Sequence, residues 1–343
     1  MGNLVNQKAL TLAELETLLS TSYATNELST VFDKHYILVG MTGSDRGSDA
    51  DDRSRHIEPS EMIEQVQPNC PIIALATDDI DLPPIVDLVA RTDAELATLT
   101  HAIDSSPIAS AMVVQLLRHN EHASVRNSLM AESLSYSCLQ NSAHFKNWLK
   151  KKHKGKKPEE DVCPPLLLER QNTKLMITFN RQKKRNAYSA QLRDAFYEAL
   201  VLAEEDKSIK TTLIQGAGEC FSAGGDLEEF GLATDSALAH MVRMTRNTGL
   251  ILDRLRSKTT FKLHGACIGA GIELPAFSNR VFAKKDSFFQ LPEVAMGLVP
   301  GAGGTVSISR RIGRLRTAFM AISNQRVDAE KALEWGLIDR IIE

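Results

Sequence analysis

Two glutamates and two glycine-containing turns are the residues of this 343-residue chain whose types and spacing could do chemistry. One turn lies in AGECFSAGGDLEEF, residues 217 to 230, where a β-like run (TTLIQG) leads into Ser222-Ala223-Gly224-Gly225-Asp226 and then into what reads as a helix. The other lies in HGACIGAGIEL, residues 264 to 274, where an apolar run leads into Gly269-Ala270-Gly271 and a helix with Glu273 in its first turn. Free backbone N–H groups point outward at a helix start, and the helix dipole favours negative charge there. Small residues let a ligand come close to the backbone. Two such sites facing each other could hold one developing oxyanion. Taken singly, each is equally a tight turn with a helix cap, and neither is a dinucleotide or P-loop fingerprint. The carboxylates add the second ingredient. Glu293 follows Pro292 in LPEV, between apolar neighbours, where burial would raise its pKa toward values useful for proton transfer. By itself it also reads as a charge at the start of a helix after proline.

Several ordered motifs then resemble the enoyl-CoA hydratase/isomerase (crotonase) family, from about Leu175 to the last residue. NRQKKRNAYS is similar to the family's early loop, in which a basic pair precedes Asn-Ala. FSAGGDLEEF resembles its first oxyanion-hole segment and HGACIGAGIELPAFSNRVFA its second. LPEVAMGLVPGAGGT is close to its most diagnostic stretch, and ALEWGLID resembles a late signature. The resemblance implies that the N–H groups of Gly225 and Ala270 surround a thioester oxygen, with Glu273 and Glu293 in the two acid/base positions of a hydratase. It implies that Lys184, Arg185 and Ala187 contact the nucleotide end of coenzyme A and that Ala223 lines the adenine side. Ala270 stands where glycine is frequent, at little cost, because the contact is made by the backbone. The implied function is an acyl-CoA-binding enzyme that stabilises a thioester enolate, with hydration of a 2-enoyl-CoA favoured. An isomerase or hydrolase of the same family is the alternative. A non-catalytic acyl-CoA-binding or assembly subunit is the alternative of another class, and it has no reason to keep both glutamates. No metal or redox cofactor is called for; coenzyme A enters as part of the substrate. The implied assembly is a homo-oligomer, a trimer or hexamer.

The elements that must position these residues follow from periodicity. Residues 9 to 20 carry leucine at helical spacing behind Thr11, a good N-cap. Short β-like runs follow at 36 to 39, 71 to 76 and 85 to 90, the first two separated by the polar loop GSDRGSDADDRSRH. From residue 93 to 152 the pattern is helical, in four pieces: DAELATLTHAI, PIASAMVVQLLRHN, SVRNSLMAESLSYSCLQ and NSAHFKNWLKKK. A charge-dense, proline-containing stretch reads as a linker. Beyond it, strand-like KLMITFN and TTLIQG flank the helix-like SAQLRDAFYEALVLAEED, and FKLHGACIG and NRVFAKK add further β-like pieces. The alternation reads as α/β, and the resemblance implies a crotonase (ClpP/crotonase-like) spiral of ββα units in the C-terminal half, preceded by an α/β and helical N-terminal region. The expected division is an α/β appendage at 1–90, helices at 91–152, a linker at 153–165 and the catalytic core at 166–343. Family members usually carry terminal helices after the ALEWGLID element, and residues 93 to 152 resemble them, including a Ser-Pro turn and a lysine-rich end. The expectation is therefore a rearranged order, by circular permutation or from a tandem duplication whose first half, residues 1 to 90, has decayed.

Composition narrows the setting. Hydrophobic residues make up 43% and charged residues 24% with net charge −3, so nothing in the total charge points to nucleic acid, and the short lysine run near 150 reads as a solvated linker. The five cysteines sit at no metal or redox spacing, which suits a reduced, cytoplasmic protein. No apolar run is long enough to span a bilayer, and the start, MGNLVNQKAL, does not read as a secretory leader. His264 is expected to be a structural hydrogen-bonder, Cys267 a small core residue, and Trp148 and Trp335 packing residues.

Overall fold

Strict alternation in KLMITF sends Leu175, Ile177 and Phe179 inward and leaves Lys174 out, the period-2 pattern of a half-buried strand. In the computed structural model this segment is β5 (Lys174–Phe179), the second strand of a six-stranded sheet. The residues described are 9–21, 23–41, 68–76, 82–152 and 163–343. The loop GSDRGSDADDRSRH and most of the expected linker lie outside them. The chain forms two compact units, Met1–Gln115 and Leu116–Glu343. The helical segment 91–152 is thus shared between the two, since the division falls inside the helix Pro107–His122.

The first unit holds a parallel sheet, β1 (Ile37–Gly40), β2 (Ile72–Leu75) and β3 (Leu88–Ala90), in that order. Its first helix, α1 (Leu12–Leu19), is opened by a capping box: Thr11 accepts from the Glu14 N–H while the Glu14 carboxylate accepts from Thr11. The helix α2 (Asp93–Ser105) follows, N-capped by Thr92, and buries Leu99 and Ile103.

In the second unit, β4 (Leu166–Gln171) pairs antiparallel with β5. Then β6 (Thr211–Gly216), β7 (Thr259–Leu263), β9 (Arg280–Lys284) and β12 (Arg340–Ile342) continue the sheet in parallel. Strand β4 was not anticipated, because LLLERQ buries only Leu166 and has no alternation to read. A second sheet holds β8 (Ala266–Ile268), β10 (Phe288–Gln290) and β11 (Val327–Asp328). From β7 to β10, successive strands go alternately to the large and the small sheet. The segment after β6 follows suit, since Ser222 bridges to Cys267 of β8. This dealing of strands between two sheets is the spiral, and it brings the turn after β6 beside the turn after β8.

Helix α3 (Ala190–Glu205), N-capped by Ser189, buries Leu192, Phe196, Ala199, Leu200 and Ala203, one stripe of a 3.6-residue period. Phe196 meets Phe179 edge-on at 5.1 Å, Phe179 stacks on Phe221 at 5.3 Å, and Phe221 meets Phe261 at 6.0 Å. This row of rings ties helix to sheet and fixes the residue just before Ser222. Two further helices, α4 (Val125–Gln140) and α5 (Ala143–Lys152), belong to this unit. Trp148 stacks on Phe145 at 6.0 Å, and Trp335 meets Phe319 edge-on at 6.4 Å. Cys267 is fully buried, and His264 places Nε2 2.9 Å from the Gly218 carbonyl.

Candidate active site

The turn after β8 is built by a constraint on glycine. Gly269 has φ +50°, and a Cβ there would stand 2.5 Å from Glu293 Oε1 and 3.7 Å from Glu273 Oε1. One residue therefore lets both carboxyls converge on the same point. The helical turn Ala270–Glu273 starts there and carries Glu273 inward. Gly271 lies against the Ser222 carbonyl, where a Cβ would be 2.6 Å from that oxygen, so the two turns lock together. Ile268 donates its N–H to the Ser222 carbonyl at 3.1 Å, and Ser222 donates to Ala266 at 3.2 Å.

The first turn departs from expectation. No helix follows Asp226; residues 227 to 230 form a turn, and the next helix, α6 (Ser236–Thr245), starts later. The cause is that the acidic residues are already engaged. Asp226 pairs with buried Arg181 at 2.8 Å and accepts the Glu228 N–H at 3.1 Å. Glu229 accepts from the Ala190 N–H at 2.8 Å, and Glu228 from Lys184 Nζ at 2.8 Å. The Gly225 N–H is freed in another way. Its neighbours bridge Tyr188, through Tyr188 N–H to the Gly224 carbonyl at 2.7 Å and Asp226 N–H to the Tyr188 carbonyl at 3.1 Å, which turns the Gly225 N–H the opposite way. Among the described residues neither Gly225 nor Ala270 donates its N–H to a protein group.

Gly225, Ala270, Glu273 and Glu293 line one cavity of about 560 Å³. The four residues at the expected nucleotide-binding positions do not line it. Lys184, Arg185 and Ala187 follow one another in a tight turn, and Ala223 donates its N–H to the Arg185 carbonyl at 2.9 Å, so the four form one neighbourhood beside the cavity.

Both glutamates are buried, Glu273 to 2% and Glu293 to 9% exposure, yet their surroundings differ. Glu273 Oε2 accepts from the N–H groups of Ala302, at 2.8 Å, and Gly304, at 2.9 Å. Burial pushes its pKa up to about 7, with the loop N–H donors opposing that rise. Glu293 Oε2 has no hydrogen-bond partner among the described residues. Burial first, and the nearby Glu273 second, raise the Glu293 pKa well above the ordinary carboxyl value. The pair thus differs in its surroundings: one carboxyl is held by backbone donors, and the other keeps an oxygen without a partner and is shifted toward its protonated form.

Reading the sequence missed a third carboxyl. Glu132 on α4 is 2% exposed and lines the same cavity. It accepts from the Gly303 N–H at 2.7 Å and from Thr305 through its N–H at 3.0 Å and its hydroxyl at 2.6 Å. The loop before the helix α8 (Gly304–Ile312) and the helix's first two residues therefore donate alternately: residues 302 and 304 to Glu273, residues 303 and 305 to Glu132. Burial, then Glu273, raises the Glu132 pKa to about 8. The available signal was a carboxylate at i+3 from Leu129, on the stripe of a helix that buries Ser128, Leu129, Ser133, Ser137 and Leu139. Asn247 caps a short helix, α7 (Thr248–Arg254), in which Thr248 accepts or donates a hydrogen bond with the Tyr188 hydroxyl at 2.9 Å, closing another side of the cavity.

Known proteins bear on this arrangement. The family model described as Enoyl-CoA hydratase/isomerase matches residues 169–343. The chain is similar to the 2,3-dehydroadipyl-CoA hydratase of Escherichia coli (strain K12), 32% identical over 177 residues, 51% of this chain and 68% of that protein. It is also similar to the trans-2-decenoyl-acyl-carrier-protein isomerase of Streptococcus mutans, 29% identical over 171 residues, 49% of this chain and 65% of that protein, just under two thirds of its length. A solved enoyl-CoA hydratase/isomerase from Marinobacter aquaeolei shares 28% identity over 53% of this chain and 71% of its own, with a TM-score of 0.48.

Proposed function

Because the chain belongs to the enoyl-CoA hydratase/isomerase family, we propose that it adds water across the double bond of a 2-enoyl-CoA thioester. One observation carries this: two unengaged backbone N–H groups, Gly225 and Ala270, share one cavity with two buried carboxyls, one held by backbone donors and one with a free oxygen. In the proposed reaction the ionised Glu273 takes a proton from water as its oxygen bonds to the β-carbon. The π electrons move toward the thioester oxygen, where the two N–H donors stabilise the enolate, each worth a few kcal/mol, about 2.7–4. The enolate then collapses as Glu293 delivers its proton to the α-carbon. A proton passing from Glu273 to Glu293 restores the starting state.

Helix α4 supports the same reading from outside the matched segment, because Glu132 and Tyr136 line this cavity. The proposal therefore includes α4 and α5 in the place of the family's terminal helices. Lys184, Arg185, Ala187 and Ala223 are proposed to meet the nucleotide end of coenzyme A. That role is supported by their standing together beside the cavity. No helix among the described residues is long and apolar enough to cross a membrane. Cytoplasmic residence, supported by five unpaired cysteines, and a homo-trimer or hexamer complete the proposal, and light scattering on the purified chain tests the assembly.

The test is hydration of crotonyl-CoA, followed by loss of enoyl-thioester absorbance, for the parent, Glu273→Gln and Glu293→Gln. Turnover in the parent and its loss in both variants, with coenzyme A binding kept, is the expected result. Double-bond migration without water addition would move the assignment to an isomerase, and free thiol release to a hydrolase. Tight binding without any reaction would leave a non-catalytic acyl-CoA binder.

A further inference from the structure

Three arginines line the cavity wall: Arg193, Arg243 and Arg246. Two already have acidic partners. Arg193 pairs with Asp194 at 2.9 Å, and Arg246 with Glu198 at 2.6 Å. Arg243, on α6, has no carboxylate within ion-pair distance among the described residues. Its Nε donates to the Ser133 hydroxyl at 3.0 Å, and its Nη2 donates to the Ser133 carbonyl at 3.2 Å and to the Ser137 hydroxyl. The Tyr136 ring lies 5.0 Å beneath the guanidinium. These contacts fix its direction without neutralising its charge. Glu132 is near enough to be felt electrostatically, but both its oxygens are committed to Gly303 and Thr305. Arg243 Nη1 donates to no protein group among the described residues.

Arg243 is half-buried, where leaving a cation uncompensated carries a cost, and a fixed guanidinium with an unused edge suits a carboxylate. The cavity lining mixes apolar residues, Leu129, Leu238 and Val242 among them, with Ser133, Gln140 and Thr234, so it can take both a hydrocarbon chain and a polar end. We propose that the acyl group ends in an anion: the substrate is the coenzyme A thioester of an unsaturated dicarboxylic acid, and Arg243 receives its distal carboxylate. This rests on the reading of the cavity as an acyl-CoA site and goes beyond it by assigning the substrate class and the residue that selects it.

The test compares binding of two saturated acyl-CoA thioesters of equal chain length, one ending in a carboxylate and one in a methyl group, over a series of lengths. Saturated chains cannot be hydrated, so this readout does not depend on turnover. Calorimetry on the parent is expected to find the carboxylate-ended thioester about 10- to 100-fold tighter at its best length, the range for a hydrogen bond to a charged group. Arg243→Gln is expected to erase that preference and Arg243→Lys to keep part of it. Equal binding in the parent, or preference for the methyl end, would overturn the proposal, and no variant is needed to see it. A matching loss of free coenzyme A binding in Arg243→Gln would overturn it too, by assigning Arg243 to a phosphate of the nucleotide. Preference for the carboxylate without turnover of either enoyl-CoA would leave the anion site standing and remove the hydratase reading instead.

Discussion

Glu273 and Glu293, on the cavity floor, come from turns that only small residues permit; Arg243 and Glu132, on its wall, come from two helices, α4 and α6, that meet face to face. On the floor, the position of each carboxyl is dictated by a neighbouring glycine: Gly269 makes room for Glu293, and Gly304 for Glu273, where a Cβ would stand 2.7 Å from Glu273 Cγ. On the wall, nothing local compels the charge. Glu132 and Arg243 lie on helices from which they reach distant hydrogen-bond partners, Gly303 and Ser133. The difference teaches that the floor tolerates almost no change in shape, whereas on the wall Arg243 can change without disturbing a backbone donor. On the proposed function, reaction type belongs to the first and substrate choice to the second.

That division is broken most directly at the floor. Glu273→Gln removes the proposed base while keeping its volume, and kcat for enoyl-CoA hydration is expected to fall about 10²- to 10⁴-fold with coenzyme A affinity retained. Gly269→Ala adds a methyl 2.5 Å from Glu293 Oε1 at a positive φ. It is expected to displace that carboxyl, to lower kcat about 100-fold, and to cost about 1–3 kcal/mol in thermal unfolding. If Gly269→Ala keeps full activity, the floor is softer than its geometry states.

Glu132→Ala tests whether the wall reaches the floor. It strips acceptors from Gly303 and Thr305 and is expected to destabilise the chain by about 2–4 kcal/mol. The same loop supplies the Ala302 and Gly304 donors that hold the Glu273 pKa down, so loosening it should move the rising limb of the pH–rate profile to higher pH. A purely structural residue would lower Tm and leave that limb where it was.

The pH dependence follows with a definite sign. Activity should rise as Glu273 ionises through about 7. Stability runs the other way. The folded pKa of Glu273 is raised from 4.5 to about 7, so the native state holds a proton that the unfolded chain has released in that window. Its contribution, of order 3 kcal/mol, is full below the unfolded value and lost as pH rises through the folded one. Glu293 and Glu132 are shifted in the same direction. Tm is therefore expected to fall between pH 5 and pH 8, about where these shifts act, and to fall less in Glu293→Gln. The smallest effect should come from the wall's rim. Leu238 is 61% exposed, and Leu238→Ala is expected to change stability by no more than about 0.5 kcal/mol, with KM within about twofold.

Much of the floor was legible because its constraints are local. Small residues at 224, 225, 269 and 271, and a glutamate after Pro292, announce close backbone approach whatever the remainder of the chain does. The strand at 174 to 179 was legible from its alternation, and α3 from its stripe. The expected helix after Asp226 failed because Arg181, far earlier in the chain, claims that side chain. Strand β4 was invisible because pairing with β5, not an internal pattern, makes it a strand. Glu132 was read only as part of a helix, since its partners lie 171 and 173 residues away.

By itself, then, the sequence determined the α/β alternation, the two turns, and the pair of glutamates beside them, because each rests on propensity, period or steric room within a few residues. Tertiary structure alone decided which N–H groups stay unengaged, which carboxyl is held by donors and which is not, and which arginine keeps its charge uncompensated. Those are properties of the field and the hydrogen-bond partners around a side chain, and both are set by residues that meet only when the chain has folded.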